Sequence, residues 1–515
     1  MNGAPGSARL ALTVDLGSSG LKVGVVSLSG AVVAVAQQQL HTERVAGGGA
    51  IQDAAGWWDA VRALAGSVLA QVDRERVVAV ACTGQWASTI PVDAAGEPVG
   101  PCLMWLDTRG AEHARRVVGG PLVGYAPGAL VTWVRHTAGV PSPHGGDPVS
   151  HMLHLKHDMP AVAAAARWYL EPVDYLSMRF TGRAVATHAS MSAAWLTDNR
   201  RLADLRYDEV LVRKSGIDPD KLPPLQATGS IVGTVRADVA GELGLGGEVY
   251  VVSGTPDLHS AALGTGAAER GQAHMTISTT SWISLPVRRK KTDALRSIAT
   301  VPGFDAESYL VANNHEAAGL CLRWLRDAWG GTRTFEELTA LAGSAPPGCG
   351  EILFTPWIAG ERSPVDDRHA RGGWHNLSVH TTDADLVRAV LEGVAYNGRW
   401  LHEVVERFAG TRLDPVRIFG GGALSDTWCQ IHADVMDRTI ERVREPMYAN
   451  LRGAALFAAL ALGDIRREQV RELVEVDRVF EPDPRNRAIY DRLYAEFPRL
   501  YKAQRKMFAR LNRRS

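Results

Sequence analysis

A strand that ends in a turn and presents an acid near the middle of the chain constrains the fold most. Residues 250–252 are Tyr-Val-Val, a short β-branched and aromatic run that predicts a buried strand. Residues 253–256, Ser-Gly-Thr-Pro, predict a turn, and Asp257 follows at once. Because α/β proteins build their sites where strands end, we interpret Asp257 as a candidate general base. A helix N-cap explains an aspartate at this position equally well.

The length and composition indicate a globular protein with more than one domain. The chain has 515 residues, which is too many for one compact core. We predict an N-terminal domain over residues 1–256, a C-terminal domain over 257–480 and a helical tail over 481–515. The formal net charge is +0, which argues against a general nucleic-acid binder.

The cysteine pattern and the absence of long apolar runs indicate where in the cell the protein is expected. The five cysteines have no paired spacing, which favours free thiols in a reducing cytosol. No apolar run reaches the roughly 18 residues that a membrane span needs, and the N-terminal residues lack a signal-peptide core. We therefore expect a cytoplasmic protein without membrane association.

Two hairpins, one in each half, carry candidate phosphate-binding turns. Residues 9–38 predict an antiparallel meander with Asp15 at the end of its first strand and a Gly/Ser turn after it. Backbone N–H groups in such a turn can bind phosphate oxygens, and Asp15 can hold Mg²⁺ through water. An ordinary hairpin with an exposed acid fits the same pattern. Residues 273–284 repeat it with a polar turn, which suggests two related domains.

Polar and aromatic side chains follow two predicted strands in the N-terminal half. Gln85 and Trp86 follow the strand at 77–81, and Asp107 and Arg109 follow the short apolar run that ends at residue 106. Glutamine gives directed hydrogen bonds and tryptophan stacks on apolar faces, as sugar recognition requires. A buried tryptophan beside a surface glutamine is the structural alternative.

A triple-glycine turn follows the predicted strand Val416–Phe419. Glycines at 420–422 allow a flat ligand to approach the backbone closely. The chain contains neither a P-loop nor a Rossmann fingerprint, so any nucleotide must be bound by another geometry.

These turns occur in an order that is highly specific. They are Asp-Leu-Gly-Ser-Ser-Gly-Leu-Lys at 15–22, the turn before Asp257, Ser-Thr-Thr-Ser at 278–281, and Phe-Gly-Gly-Gly-Ala-Leu-Ser-Asp-Thr-Trp at 419–428 with Ala-Asp-Val at 433–435. Together they resemble the FGGY family of carbohydrate kinases, over about residues 10–462. The pattern is most similar to the xylulokinase-like branch.

The resemblance implies an α/β fold of two ribonuclease-H-like (actin-like ATPase) domains with a ligand cleft between them. It implies ATP and Mg²⁺ as cofactors, Asp257 as the catalytic residue and Asp15 beside the metal. The residues that it implies for ATP binding are Gly17, Ser18, Ser19, Lys22, Thr280, Gly421, Gly422 and Asp426. For substrate binding they are Gln85, Trp86, Asp107, Arg109 and Asp257. A homodimer is common in families of this kind.

Four departures from the family pattern concern the sugar and the phosphates. Many pentulose kinases have Met-His after the glutamine, where this chain has Trp86 and alanine. Leu258 replaces an asparagine beside the catalytic aspartate, Thr279 replaces a glycine, and His188 stands where xylulokinases often carry an acid. The catalytic and nucleotide parts therefore carry over, while the identity of the sugar does not.

The expected function is ATP-dependent phosphorylation of a hydroxyl of a small sugar, with a ketopentose such as xylulose favoured. Another ketose, a polyol such as erythritol or an aldonate such as gluconate is the alternative within the kinases. Outside them, the alternatives are a non-kinase actin-like ATPase and a kinase-like sugar sensor without catalysis.

Overall fold

The first of two large sheets is formed by the N-terminal half of the chain. A computed structural model describes residues 8–122 and 124–512. The sheet has six strands, in the order Ile231–Thr234, Tyr250–Pro256, Val77–Gly84, Leu10–Leu16, Gly20–Ser27 and Val32–Gln39. The last three pair as the antiparallel meander that the sequence predicts. The strands Leu10–Leu16, Val77–Gly84 and Tyr250–Pro256 are parallel, so their carboxyl ends meet at one edge.

The second large sheet repeats this plan. Its five strands, in spatial order, are Ile283–Ser284, Ala273–Thr276, Val416–Phe419, Ile440–Val443 and Val476–Phe480. The first two form an antiparallel hairpin, the next pairs are parallel, and the last pair is antiparallel. Both sheets therefore contain a hairpin whose first strand also pairs with a parallel strand. The two polar turns, at 17–19 and 278–281, occupy the same place in the two hairpins.

Smaller sheets surround these two. A four-stranded sheet contains Pro286–Val287, Tyr309–Ala312, Ile298–Pro302 and Thr292–Asp293. A three-stranded sheet contains Glu43–Val45, Gly49–Gln52 and Cys102–Leu103. The remaining pairs are Ile90–Val92 with Trp168–Leu170, Ala186–Thr187 with Leu225–Gln226, and Leu353–Thr355 with Gly373–His375, while Gly119–Leu122 is a separate short strand.

Helices cover the faces of the sheets. In the N-terminal half they are Ala54–Leu69, Ala111–Val118, Pro127–His136, Pro148–Asp158, Pro160–Ala165, Pro172–Thr181, Glu209–Ser215, Ala237–Leu243 and Asp257–Gly264. In the C-terminal half they are Gly319–Ala328, Phe335–Ser344, Asp383–Ala409, Asp426–Met436, Ala449–Ala461, Val470–Leu473 and Arg487–Leu511. Helix Asp383–Ala409 starts with the capping box that the sequence predicts, because Thr382 accepts from the backbone of Asp385 and the Asp385 side chain accepts in return.

Two helices cross in close contact where the halves of the molecule meet. Helix Ala449–Ala461 packs both against helix Asp257–Gly264 and against the first sheet. A Cβ atom on Gly264 would lie 1.7 Å from the Ala449 carbonyl oxygen, and one on Gly453 would lie 1.8 Å from the Ser260 carbonyl oxygen. Glycine is required at both positions because any side chain would separate the helices. A helix from the C-terminal half thus covers the N-terminal sheet.

The C-terminal helix is part of the core of the second half. Tyr490, Phe497 and Tyr501 are buried on helix Arg487–Leu511. The rings of Phe497 and Trp357 have centroids 5.3 Å apart. The division at residues 256/257 and the separate tail from residue 481 stay predictions, since contacts cross both boundaries.

Candidate active site

Asp257 is the first residue of the helix at the junction of the two halves. Pro256 occupies the N-cap position, so the N-cap interpretation of Asp257 is not the arrangement observed. Its carboxylate accepts a hydrogen bond from the backbone N–H of Leu258 at 2.8 Å. Burial and the nearby charge of Asp15 raise the pKa of Asp257 from 3.8 to about 7. A carboxylate with such a pKa is suited to accept a proton near neutral pH.

Asp15 lies at the end of the first strand and faces this helix. It is 5% exposed, so the interpretation as an exposed acid on an ordinary hairpin does not hold. Lys22 pairs opposite it across the hairpin, with Nζ 3.3 Å from Asp15 Oδ2. The turn between them, residues 17–19, is closed by a hydrogen bond from the Gly17 N–H to the Gly20 carbonyl at 2.9 Å.

A chain of hydrogen bonds joins this turn to the predicted sugar contacts. Trp105 Nε1 donates to Ser18 Oγ at 3.0 Å, and Ser18 Oγ donates to Gln85 Oε1 at 3.1 Å. The Gln85 backbone N–H donates to the Leu16 carbonyl at 2.7 Å. Gln85 Nε2 is buried and has no hydrogen-bond partner. An unpaired buried donor is costly, so a ligand oxygen at this point would be stabilising.

Trp86 lies between the two halves. Its Nε1 donates to the Ser190 carbonyl at 2.9 Å, which fixes the orientation of the indole. The ring packs against the apolar cluster that contains Leu258 and the helix after Asp257, and Trp282 from the C-terminal half packs on the same cluster. The tryptophan is therefore neither fully buried nor remote from the candidate base.

Asp107 and Arg109 form one unit. Asp107 is fully buried, and its carboxylate accepts from Arg109 Nε at 3.1 Å, from Arg109 at 2.7 Å through a second nitrogen, and from the Ala50 N–H at 3.0 Å. These bonds hold the pKa of Asp107 below its usual value, although burial opposes them. Arg109 is the partly exposed member of the pair. Asp107 therefore holds the Arg109 guanidinium in place, and Arg109 is the member of the pair that a ligand can reach.

The second polar turn and the glycine turn lie against each other. The Gly422 N–H donates to the Ile277 carbonyl at 2.8 Å. Added Cβ atoms would lie 2.6 Å from Ser278 Oγ at Gly420 and 2.3 Å from an Ile277 methyl at Gly422. Gly421 is exposed, with only ordinary contacts around it. Two of the three glycines therefore allow the two turns to pack closely, and Gly421 faces solvent.

The remaining predicted residues lie on or beside these turns. The Thr280 carbonyl closes the second turn by accepting from the Ser278 N–H at 3.0 Å. Asp426 is exposed and is engaged by Arg442 at 2.7 Å and by Arg478. Ser19 is exposed at the tip of the first turn.

Sequence reasoning missed two side chains of the site. Trp105 directly precedes the predicted pair at 107 and 109, and its position after an apolar run was the available signal. Arg323 lies on helix Gly319–Ala328 and donates to Thr279 Oγ1 at 3.0 Å. No sequence motif connects it to the turn, because helix and turn meet only in the tertiary structure. Arg323 forms no ion pair among residues 8–122 and 124–512, so it leaves a positive charge at this turn.

The repeated sheets, the turn at the end of each first strand and the aspartate at the junction define the class of the protein. It is a two-domain α/β protein of the actin-like ATPase fold, with its polar turns gathered around the junction of the halves. The chain belongs to the FGGY family of carbohydrate kinases: the N-terminal domain model of the family matches residues 10–264 and the C-terminal domain model matches residues 271–462. It is a sugar kinase of that family.

Known relatives carry two substrate names. The chain is 28% identical to a xylulose kinase of Staphylococcus epidermidis over 509 residues, which covers 97% of this chain and 98% of the relative. It is 25% identical to a gluconokinase of Bacillus subtilis, over 88% of each chain.

Solved structures show the same fold over nearly the whole chain. A xylulose kinase from Rhodospirillum rubrum has a TM-score of 0.83 and 26% identity, and covers 97% of this chain and 100% of its own. A gluconate kinase from Lactobacillus acidophilus has a TM-score of 0.87 and 20% identity, with 98% and 100% covered. Among the described residues, no helix combines the length and apolarity that crossing a membrane requires.

Proposed function

We propose that the protein transfers the γ-phosphoryl group of ATP to a hydroxyl of a small neutral sugar, with a ketopentose such as xylulose as the first candidate. The observation that carries this proposal is Asp257 at the junction of the halves, with a pKa raised to about 7 by burial and by Asp15. Groups with shifted pKa values in a cleft between domains are candidates for acid–base chemistry.

In this reaction one P–O bond forms, one P–O bond breaks and one proton is transferred to the protein. The sugar hydroxyl oxygen attacks the γ-phosphorus while the bond from that phosphorus to the β–γ bridging oxygen breaks, which leaves ADP. Asp257 accepts the hydroxyl proton as the new P–O bond forms. Phosphoryl transfer needs little covalent help from the protein, so positioning and charge stabilisation supply most of the rate.

The residues around Asp15 fit a metal–nucleotide complex. Asp15 and Asp257 are close enough for the charge of Asp15 to raise the pKa of Asp257, and these two carboxylates would be the residues that hold a divalent cation. When bound, Mg²⁺ would neutralise charge on the phosphate oxygens. Lys22, the backbone of residues 17–19 and the second turn with Thr280 offer positive or donor groups for the phosphates.

The sugar side is supported by Gln85, Trp86 and Arg109. Gln85 Nε2 offers an unused buried donor, and Trp86 offers an apolar face. Asp107 already pairs with Arg109 through both carboxylate oxygens, so the net charge of this pair is zero. A neutral pair hydrogen-bonds a hydroxyl without requiring an anion, which favours a ketose over an aldonate. Gluconate is the second candidate, because relatives of both names match the chain.

A coupled assay of ADP release tests the proposal. Wild-type protein is supplied with Mg-ATP and with xylulose, other ketoses, erythritol or gluconate in parallel. We expect release to depend on one of the sugars, and Asp257→Ala to reduce kcat by at least about 100-fold while ATP still binds. The matched control is Asp238→Ala, which removes an exposed first-turn aspartate paired with Arg236.

Two results would contradict the assignment. Near-wild-type turnover by Asp257→Ala would exclude Asp257 as the base. ATP hydrolysis that is equally fast with and without every sugar would favour a non-kinase actin-like ATPase.

A further inference from the structure

The turn that presents Trp86 is held in an unfavourable backbone conformation. Ala87 has φ +64°, in the left-handed region that residues with a Cβ atom seldom adopt. The neighbouring Ser88 accepts from the Trp105 backbone N–H at 3.1 Å through its hydroxyl. A turn of this kind persists only where surrounding groups fix it.

Two buried acids contact this turn and the segment beside it, and both lie at the start of helix Pro172–Thr181: Glu171 is its N-cap residue and Asp174 is in its first turn. Glu171 is 2% exposed and Asp174 is 1% exposed. Glu171 Oε2 accepts from the Ser88 N–H at 3.2 Å and interacts with the Ala87 amide, whereas Oε1 is buried without a partner. The Glu171 carboxyl therefore fixes the backbone on the C-terminal side of Trp86.

Asp174 lies beside the other anchor of the tryptophan. It interacts with the Ser190 hydroxyl, and the Ser190 carbonyl is the acceptor for Trp86 Nε1. Asp174 Oδ2 is buried without a hydrogen-bond partner. The two acids thus contact the two chain segments that determine where the indole lies.

The same helix start also touches the strand that leads to Asp257. A Cβ atom on Gly254 would lie 2.5 Å from the Val173 carbonyl oxygen, so strand and helix are in direct backbone contact. Residues 171–174 are therefore a common support for Trp86 and for the strand that ends at the candidate base. Movement of this support would change the distance between them.

Neither acid has a compensating charge. No basic side chain among residues 8–122 and 124–512 is an ion-pair partner of Glu171 or Asp174. Burial raises the pKa of both carboxyls well above their usual values, because desolvation penalises the charged form. Buried polar groups with unused hydrogen-bonding atoms reduce stability, so an apolar residue would suit a purely structural position better.

We propose that Glu171 and Asp174 are positioning residues of the sugar site, which hold Trp86 at a fixed distance from Asp257 and thereby determine which sugars fit between them. This inference rests on the proposed function, since it takes Trp86 as a sugar contact.

Two substitutions at one position separate positioning from stability. Glu171→Leu removes the acceptor but keeps an uncharged side chain of similar size, and leaves the Ser88 N–H without its partner. We expect the KM for the sugar to rise about tenfold with the KM for ATP unchanged, because a lost buried hydrogen bond frees the turn. We expect Tm to stay equal or to increase. Glu171→Gln keeps an acceptor oxygen and no charge, so its sugar KM stays within about threefold of wild type.

Asp174→Leu and Glu392→Gln complete the experiment. Asp174→Leu is a second test in case the Glu171 variant does not fold, and it should raise the sugar KM in the same way. Glu392 is the matched control, because it is equally buried but pairs with Arg388 in the other half. Glu392→Gln should lower Tm and leave the sugar KM unchanged.

The outcomes distinguish this inference from the proposed function. Sugar-dependent turnover by the wild type establishes the function first, with xylulose, gluconate and erythritol as probes. If no probe is phosphorylated, the proposed function fails. If the wild type is active and Glu171→Leu and Asp174→Leu both keep its sugar KM, or Glu171→Gln is as impaired as Glu171→Leu, the positioning role is wrong.

Discussion

Replacing Asp257 with asparagine should make the protein more stable at neutral pH while it abolishes activity. The pKa of Asp257 is raised from 3.8 to about 7 in the folded protein, chiefly by burial. Between these values the folded state holds the proton more tightly than the unfolded state does. Stability from this group is therefore fully present below pH 3.8 and is lost as the pH rises towards about 7. Asparagine is neutral throughout and avoids the loss.

The size of the effect follows from the shift. Each pKa unit corresponds to about 1.4 kcal/mol, so a shift of roughly three units is worth about 4 kcal/mol at most. Asp257 is partly exposed, and solvent screening reduces this to about 2–4 kcal/mol. For a chain of this length that difference corresponds to a few degrees in Tm.

Thermal unfolding of the wild type and of Asp257→Asn, both without ligands, measures this difference in stability. Scans at one heating rate from about pH 3.5 to about pH 8 should show curves that nearly coincide at the acid end and separate as the pH rises through the window between the two pKa values. Asp15→Asn is the second arm. It is compared with the double variant that also carries Asp257→Asn. Since Asp15 is the lesser cause of the raised pKa, the difference in Tm between these two proteins should be smaller and should level off at a lower pH, but it should not disappear. A constant difference between wild type and Asp257→Asn at every pH would refute the reasoning.

Two further predictions concern nucleotide binding and the helix crossing. Arg323→Gln keeps a hydrogen-bond donor for Thr279 but loses the positive charge. Steady-state kinetics should therefore show the KM for ATP raised about 3–10-fold with the sugar KM unchanged. Arg326→Gln, on the same helix, is the control, and equal effects of the two substitutions would contradict a local role of Arg323. Gly264→Ala places a Cβ atom 1.7 Å from a backbone carbonyl oxygen, and urea unfolding should show a loss of at least about 2 kcal/mol. Gly66→Ala, in a helix with open space around it, should gain about 0.5–1 kcal/mol, so a similar gain at Gly264 would show that the crossing is not tight.

Local signals in the sequence were sufficient for many elements. The meander at 9–38, the capping box at Thr382 and the strand Val416–Phe419 depend on hydrophobic period and turn residues within a few positions of one another. The order of the turns was sufficient for the family, because each turn keeps its residues together in the chain. The predicted site residues remain predictions, since their roles need a ligand.

Contacts between distant segments were outside the reach of sequence reasoning. Asp107 was predicted to contact sugar, but its burial beneath Arg109 depends on how a loop folds over Ala50. Gly422 was predicted to let a flat ligand approach the backbone, but in the structure the space beside its Cα is occupied by the Ile277 side chain. The glycine pattern indicates a close approach without identifying the partner, and the ligand contacts of both residues stay predictions.

The sequence by itself determined the α/β plan, the polar turns at 17–19 and 278–281 and the choice of Asp257 as candidate base, because hydrophobic period, turn chemistry and motif order are local properties of the chain. The predicted turn at 253–256 is instead the end of the strand Tyr250–Pro256. Only the tertiary structure decided the environment of Asp257. Its raised pKa comes from burial and from Asp15, which lies 242 residues earlier in the chain. The uncompensated acids beneath Trp86 are likewise a property of packing, since desolvation and missing partners arise only when distant segments meet.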